Sequence, residues 1–248
     1  MNARTVIQIV IDALKRDEEQ CGYRFKFDPH DIHVIKLFGS RAYGCARDDS
    51  DYDFIVVCRH FHVDHYYRSI EGMKHAVKHE KDYMFETDYS CQLVCEDDND
   101  NNSARTENGK TINVGVHILN SDYYMEMVRE HEATMLLSMF LDGENQVWLE
   151  DELMRHYRTQ VFPRYGLMLR KVQRGFARVA DIAYSKSCRI WSTDAYKSAK
   201  NMAHAYRYLT YGRQIVEHGR IVDFTAPNDV CAQVVSCHET CTEWQQMK

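Results

Sequence analysis

The stretch FGSRAYGCARDDSDYDFIVV, from Phe38 to Val57, joins two apolar runs through a glycine–serine turn and ends in two aspartates one residue apart. The flanking runs, DIHVIKLF and DYDFIVVC, read as buried strands, and the connection between them has the length of a turn with a short helix. A strand points alternate side chains to opposite faces, so Asp51 and Asp53 share one face, continued by Ile55 and Val57. Two carboxylates side by side repel each other and are stable together mainly when a cation lies between them. Their oxygens are hard ligands that suit magnesium, which keeps waters and phosphate oxygens in its shell. In the turn GSRAYG, Gly39 lets backbone N–H groups approach a phosphate closely, and the Ser40 hydroxyl can donate to it. A phosphate cradle beside a two-carboxylate cation site is the equipment for phosphoryl or nucleotidyl transfer. Either half alone is common on protein surfaces; the information lies in their conjunction on a strand–turn–strand pattern.

The rest of the chain divides into a strand-bearing half and a helical half. TVIQIVIDALKRDEEQ carries Val6, Ile9, Val10, Ala13 and Leu14 at helical spacing. CQLVCED and TINVGVHIL read as two further strands, separated by the polar, acidic DDNDNNSARTENG. From Ser121 the pattern is helical: SDYYMEMVREHEATMLLSMFLDG reads as one helix opened by a Ser121 cap and stopped at Gly143. Three more helical segments follow, RYGLMLRKVQRGFARVADIAY, STDAYKSAKNMAHAYRYLTYGRQIVEHG and NDVCAQVVSCHETCTEW. The expected class is α+β, with a palm domain over residues 1–150 and an all-helical domain over 151–248. With 248 residues the chain can bury a substantial core without disulfides. No apolar run approaches 18 residues and the start of the chain lacks a signal-peptide pattern, so no membrane partner is expected. Nine scattered cysteines, an odd number, leave at least one free thiol and point to a reducing, cytoplasmic location.

Charge is segregated along the chain. Residues 155–220 hold 14 Lys and Arg against three acids, a net +11, and the remainder carries −17. Such a segment is a plausible footprint for a polyanion. In AYKSAKNMAHAYRYL, Lys197, Lys200, His204 and Arg207 fall on one arc, with Ala195, Ala199, Met202, Tyr206 and Leu209 opposite. The expectation is that the second side packs and the first faces triphosphate or RNA. A solvated charged face accounts for the charge alone about equally well.

GSRAYG followed by SDYDF resembles the signature of the polymerase β superfamily of nucleotidyltransferases, and within it the branch with a helical C-terminal half. KNMAHAYRYLTYGRQIVEHGRI, with Lys200, His204, Arg207 and Gly212, is similar to a late helix of that branch. The resemblance implies a palm with a mixed sheet and flanking helices, followed by a helical domain with the active site in the cleft between them. It also implies transfer of a nucleoside monophosphate from a triphosphate with release of pyrophosphate. On this reading Asp51 and Asp53 are catalytic and hold Mg2+ or Mn2+. Gly39, Ser40 and Arg41 bind the nucleotide, with Lys200 and Arg207 contributed by the helical half. ATP is the favoured donor and an RNA end the favoured acceptor, with a protein hydroxyl or a small molecule such as an aminoglycoside as alternatives. The superfamily places a third carboxylate on a later strand, but TINVGVHIL shows Asn113, Gly115 and His117 on its polar face. Glu96 is then the candidate third metal ligand. Should no third acid exist, a nucleotide- or RNA-binding protein without turnover is the competing reading.

Four weaker groupings are read as structural. Cys237, His238 and Cys241, with Cys231 nearby, crowd one helix without two-knuckle zinc spacing and read as a partly buried cysteine face. His60, His62 and His65 read as a polar loop, and Cys91 and Cys95 as strand core. Tyr206, Tyr208 and Tyr211 read as core aromatics rather than base-stacking platforms.

Overall fold

The computed structural model describes residues 3–8, 11–12, 29–59, 86–95, 110–141 and 152–240, without the side chains of 29, 86–95, 110–112, 153 and 238–240. Glu96, the acidic segment after it, the histidines at 60, 62 and 65, and Cys241 lie outside the described residues. Cys91, Cys95 and His238 lie in described elements, but their side chains do not belong to the description.

Among the described residues four strands form one mixed sheet in the order β1-β2-β4-β3. They are β1 (Ile32–Phe38), β2 (Tyr52–Cys58), β3 (Glu86–Cys95) and β4 (Lys110–Asn120). Only β2 and β4 run parallel; the outer pairs are antiparallel. β2 is buried from Phe54 to Cys58, and β4 is buried at Val114, Val116 and Ile118–Asn120, with Gly115 and His117 half-buried and Asn113 exposed. Lys36 on β1 is 2% exposed, and its Nζ donates to the Leu141 carbonyl at 2.7 Å. The sheet with its helices bears out the α+β class.

The chain forms two compact units. One comprises Met1–Ala42, Ala46–Glu126 and Leu141–Arg155; the other comprises Tyr43–Cys45, Met127–Phe140 and His156–Lys248. The first holds the sheet and a one-turn helix, α1 (Gly39–Ala42), directly after β1.

The single helix expected from Ser121 is two: α2 (Ser121–Arg129) and α3 (Ala133–Phe140). The first is capped by Asn120, whose Oδ1 accepts the Asp122 N–H at 2.8 Å, and not by Ser121. The break falls at His131, whose φ of 60° belongs to the left-handed region. Its Nδ1 donates to the Arg129 carbonyl at 2.7 Å and its Nε2 accepts the Met168 N–H at 2.9 Å, which fixes a neutral tautomer. Beyond it the Glu132 carboxylate caps the new helix at the Met135 N–H, at 2.8 Å.

In the second unit α4 (Glu152–His156), split between the units, runs into a wide helix at Tyr157–Gly166. Then come α5 (Leu169–Ile190), α6 (Ala195–His218) and α7 (Asn228–Thr240). Helices α5 and α6 meet over small residues. A Cβ added at Gly212 would stand 2.8 Å from the Phe176 Cβ, and the Ser187 and Ser198 hydroxyls are 2.9 Å apart. Close approach of this kind lets Val172, Phe176, Ala180, Ala199, Ala203, Tyr211 and Ile215 bury completely or nearly so.

Candidate active site

In the first unit, β1 ends at Phe38, which pairs with Asp53, so the turn that follows is delivered beside the aspartate strand. Gly39 opens α1 with φ at 68°. Only glycine fits there: a Cβ would stand 2.4 Å from Asp53 Oδ2. On the other side, Gly115 of β4 pairs with Asp53, and a Cβ there would lie 3.1 Å from Asp53 Oδ1. The carboxylate of Asp53 therefore lies between two backbones stripped of side chains.

The two aspartates differ in surroundings. Asp53 is half-buried; burial first, then the neighbouring Asp51 charge, push its carboxyl above the usual carboxylate range. Asp51 is exposed and precedes the first residue of β2. Its Oδ1 accepts a hydrogen bond from the Asn113 amide at 3.0 Å. Two carboxylates in this relation are an oxygen donor set for a hard divalent cation, and the glycine walls leave space that side chains would otherwise fill. The residues present fit such an ion. Among the described residues no group of three or more His, Cys, Asp or Glu is arranged to hold a metal, and the expected third ligand, Glu96, lies outside them.

Ser40 follows Gly39 in the single turn of α1. Arg41 turns back onto its own loop: Nη2 donates to the Ser50 carbonyl at 2.6 Å and Nε to the Asp51 carbonyl at 3.2 Å. Its guanidinium lies 3.8 Å from the centre of the Tyr52 ring. Gly39, Ser40, Arg41, Asp51 and Asp53 thus come together in one unit.

Lys200 and Arg207 belong to the second unit and differ from the expected arc. Lys200 is exposed, with its Nζ 5.5 Å from the centre of the Tyr196 ring. Arg207 is 7% exposed; its Nη2 donates to the Cys45 thiol sulfur at 3.3 Å and its guanidinium lies 5.6 Å from the Tyr43 ring centre. Its Nε is buried without a hydrogen-bond partner among the described residues. Conversely Tyr206 and Leu209, expected to pack, are 39% and 52% exposed. The reason is the segment Tyr43–Cys45, which belongs to this unit: Tyr43 stacks on Phe224 at 5.8 Å, meets Tyr211 edge-on at 5.6 Å, and accepts from Asn228 at its carbonyl, 2.7 Å away. Nothing in the helical spacing of α6 discloses that contact.

His204 sits at the surface of α6, yet its imidazole is held down at about 4, first by desolvation from its surroundings and then by the cations Arg207, Lys200 and Lys186. Cys231 is buried and donates to the Ala203 carbonyl at 3.3 Å, while Cys237 is exposed, as a partly buried cysteine face requires. Tyr211 is buried, Tyr206 is not.

Among the described residues the mixed sheet sets the glycine turn at Gly39 beside Asp53 of the Asp-x-Asp pair. Residues 24–105 match the family model described as the nucleotidyltransferase domain. The chain carries a nucleotidyltransferase domain in its strand-bearing part. Among solved structures it is similar to a nucleotidyltransferase-like protein from Exiguobacterium sibiricum 255-15, with 11% identity and a TM-score of 0.27 over 92% of this chain. The chain spans 66% of that structure's length. No curated protein matches the chain. No helix among the described residues is long and apolar enough to cross a membrane.

Proposed function

We propose that the protein is a Mg2+- or Mn2+-dependent nucleotidyltransferase that moves a nucleoside monophosphate, AMP in preference, from its triphosphate to an acceptor hydroxyl at an RNA end. The carrying observation is the Asp53 carboxylate placed between Gly39 and Gly115 beside Asp51, with Gly39, Asp51 and Asp53 inside the matched nucleotidyltransferase domain. Asp51 and Asp53 would hold the cation; Gly39 and Ser40 would hold the β- and γ-phosphates through backbone N–H groups and the hydroxyl. When bound, the cation supplies charge neutralisation at the triphosphate. Arg41, which donates to the Ser50 and Asp51 carbonyls, would assist at the phosphates. In the proposed division, palm 1–150 and helical domain 151–248, the exposed Lys200 supplies positive charge for phosphates, while Arg207 is buried against Cys45 and Tyr43. A reducing, cytoplasmic setting fits the buried, unpaired thiols Cys58 and Cys231.

RNA as acceptor is supported by the exposed cations of α5 and α6. Arg170, Arg174, Arg178, Lys186, Arg189, Lys200 and Arg213 all reach solvent. The test incubates the protein with each α-labelled nucleoside triphosphate, Mg2+ or Mn2+, and total RNA, with Asp51→Asn as control. Label in RNA that disappears in the control is the expected result; label in protein or a small molecule moves the acceptor, and no transfer with intact nucleotide binding makes the chain a binding protein. RNA affinity should also fall on a log–log plot against salt, by about 0.7 per phosphate contacted, and reversing Lys186 and Lys200 to Glu should flatten that slope.

A further inference from the structure

We propose that Asn113 is a positioning residue for the Asp51 carboxylate, a role that rests on Asp51 and Asp53 holding a divalent cation. The pairing of β2 with β4 sets Tyr52 opposite Val114 and Asp53 opposite Gly115; one residue further back, Asp51 and Asn113 meet. Position 113 is on the same polar face as position 115, because strand side chains alternate. Two neighbouring residues of that face on β4 therefore serve the two aspartates in opposite ways. Gly115 removes a side chain so that Asp53 has room, and Asn113 extends one to take hold of Asp51 at 3.0 Å.

The chemistry of the pair fixes the orientation of the amide. An ionised carboxylate only accepts, so the group facing Asp51 Oδ1 must be Nδ2. This hydrogen bond is charge-assisted. It joins residues 62 positions apart in sequence: Asn113 lies inside β4, where pairing with β3 fixes the backbone, and the exposed Asp51 stands immediately before β2. Holding one oxygen of Asp51 also sets a partial positive charge against that carboxylate before any cation arrives. Partners that orient metal ligands typically change metal affinity 10- to 100-fold when removed.

Position 113 lies on the strand where the resemblance calls for an acid, and an aspartate there would add charge and lose the donor. Asparagine keeps the geometry of an acidic side chain while acting as a donor to its neighbour. The two roles separate in a binding experiment that needs no turnover.

The probe is Mn2+ alone, titrated into the whole protein without nucleotide and followed by electron paramagnetic resonance, with thermal melting alongside. Asn113→Ala and Asn113→Leu should each weaken Mn2+ binding about 10-fold, the low end of the range for an exposed pair, with melting unchanged. Asn113→Gln, which keeps an amide donor, should recover most of the affinity. Mn2+ binding within twofold of wild type in Asn113→Ala, while Asp51→Asn abolishes it, overturns the positioning role and leaves the cation site standing. Undiminished Mn2+ binding in Asp51→Asn overturns the cation site itself, and this role with it. If the Ala and Leu variants lose affinity only in step with melting temperature, or do not fold, the amide is a tie between strands and the proposal is wrong.

Discussion

Asp53 and Arg207 are both charges withdrawn from water, one in each unit, and their surroundings are opposites. Asp53 is set beside a like charge and two glycines that keep atoms away from it. Arg207 is set among a thiol, a tyrosine ring and helix neighbours that fill its space. The first environment raises the energy of the charge and leaves room for something else to lower it. The second accommodates the cation with soft and aromatic contacts. Space kept open around an unfavourable charge is a mark of ligand chemistry, whereas dense packing around one is compatible with a role in the fold.

The sharpest way to break this contrast is Asp53→Asn. Transfer should fall by about a thousandfold or more, while stability without metal should stay level or rise because the repulsion with Asp51 is gone. Labelled-transfer assays and urea melts on the same preparation decide it; a loss of stability typical of a core substitution would place Asp53 with the fold. Next in size is Gly39→Ala, which combines left-handed backbone with a Cβ 2.4 Å from Asp53 Oδ2. It should cost about 1–3 kcal/mol of stability and weaken triphosphate binding by calorimetry. Gly115→Ala, at 3.1 Å, should do less.

On the other side of the comparison, Arg207→Met should be near neutral in denaturant melts, within about 1 kcal/mol, because a flexible apolar chain can occupy the same volume. Arg207→Ala should cost about 2 kcal/mol through lost packing. Should Met be as damaging as Ala, the charge itself is required, and Arg207 belongs with the ligand-facing cations after all.

The smallest effect is a slope. His131, with Glu130 and Lys171 facing it, is held below the ordinary histidine value near 6.5, chiefly by burial. His204, at about 4, is shifted in the same direction. The unfolded chain takes up protons that these rings refuse in the fold, so stability should decline as pH falls below about 6.5 and go on declining until the folded values are passed. His131→Gln should make melting temperature fall less steeply between pH 7 and 5 than in the wild type. An unchanged slope would mean that His131 titrates alike folded and unfolded.

The strand–turn–strand core of the site was legible because its information is local: period-two alternation fixes the face of Asp51 and Asp53, and the glycine at 39 marks a turn with close backbone approach. Three features were not. The helix break at His131 interrupts an apolar pattern that runs on without a proline or glycine, and the ring that stabilises it bonds to Met168, far along the chain. The burial of Arg207 depends on Tyr43 and Cys45, which no periodicity of α6 could anticipate. The link from Asn113 to Asp51 follows from strand register, and register is set by pairing across the sheet rather than by either strand alone.

Arg41 closes the loop between α1 and β2 onto itself, binding the carbonyls of Ser50 and Asp51 and lying on Tyr52. A ring of chain held shut in this way has its ends at a fixed spacing before anything docks. The conformational entropy of bringing the glycine turn and the aspartates together is then lost once, when the protein folds, and is not subtracted again from the affinity for each incoming nucleotide.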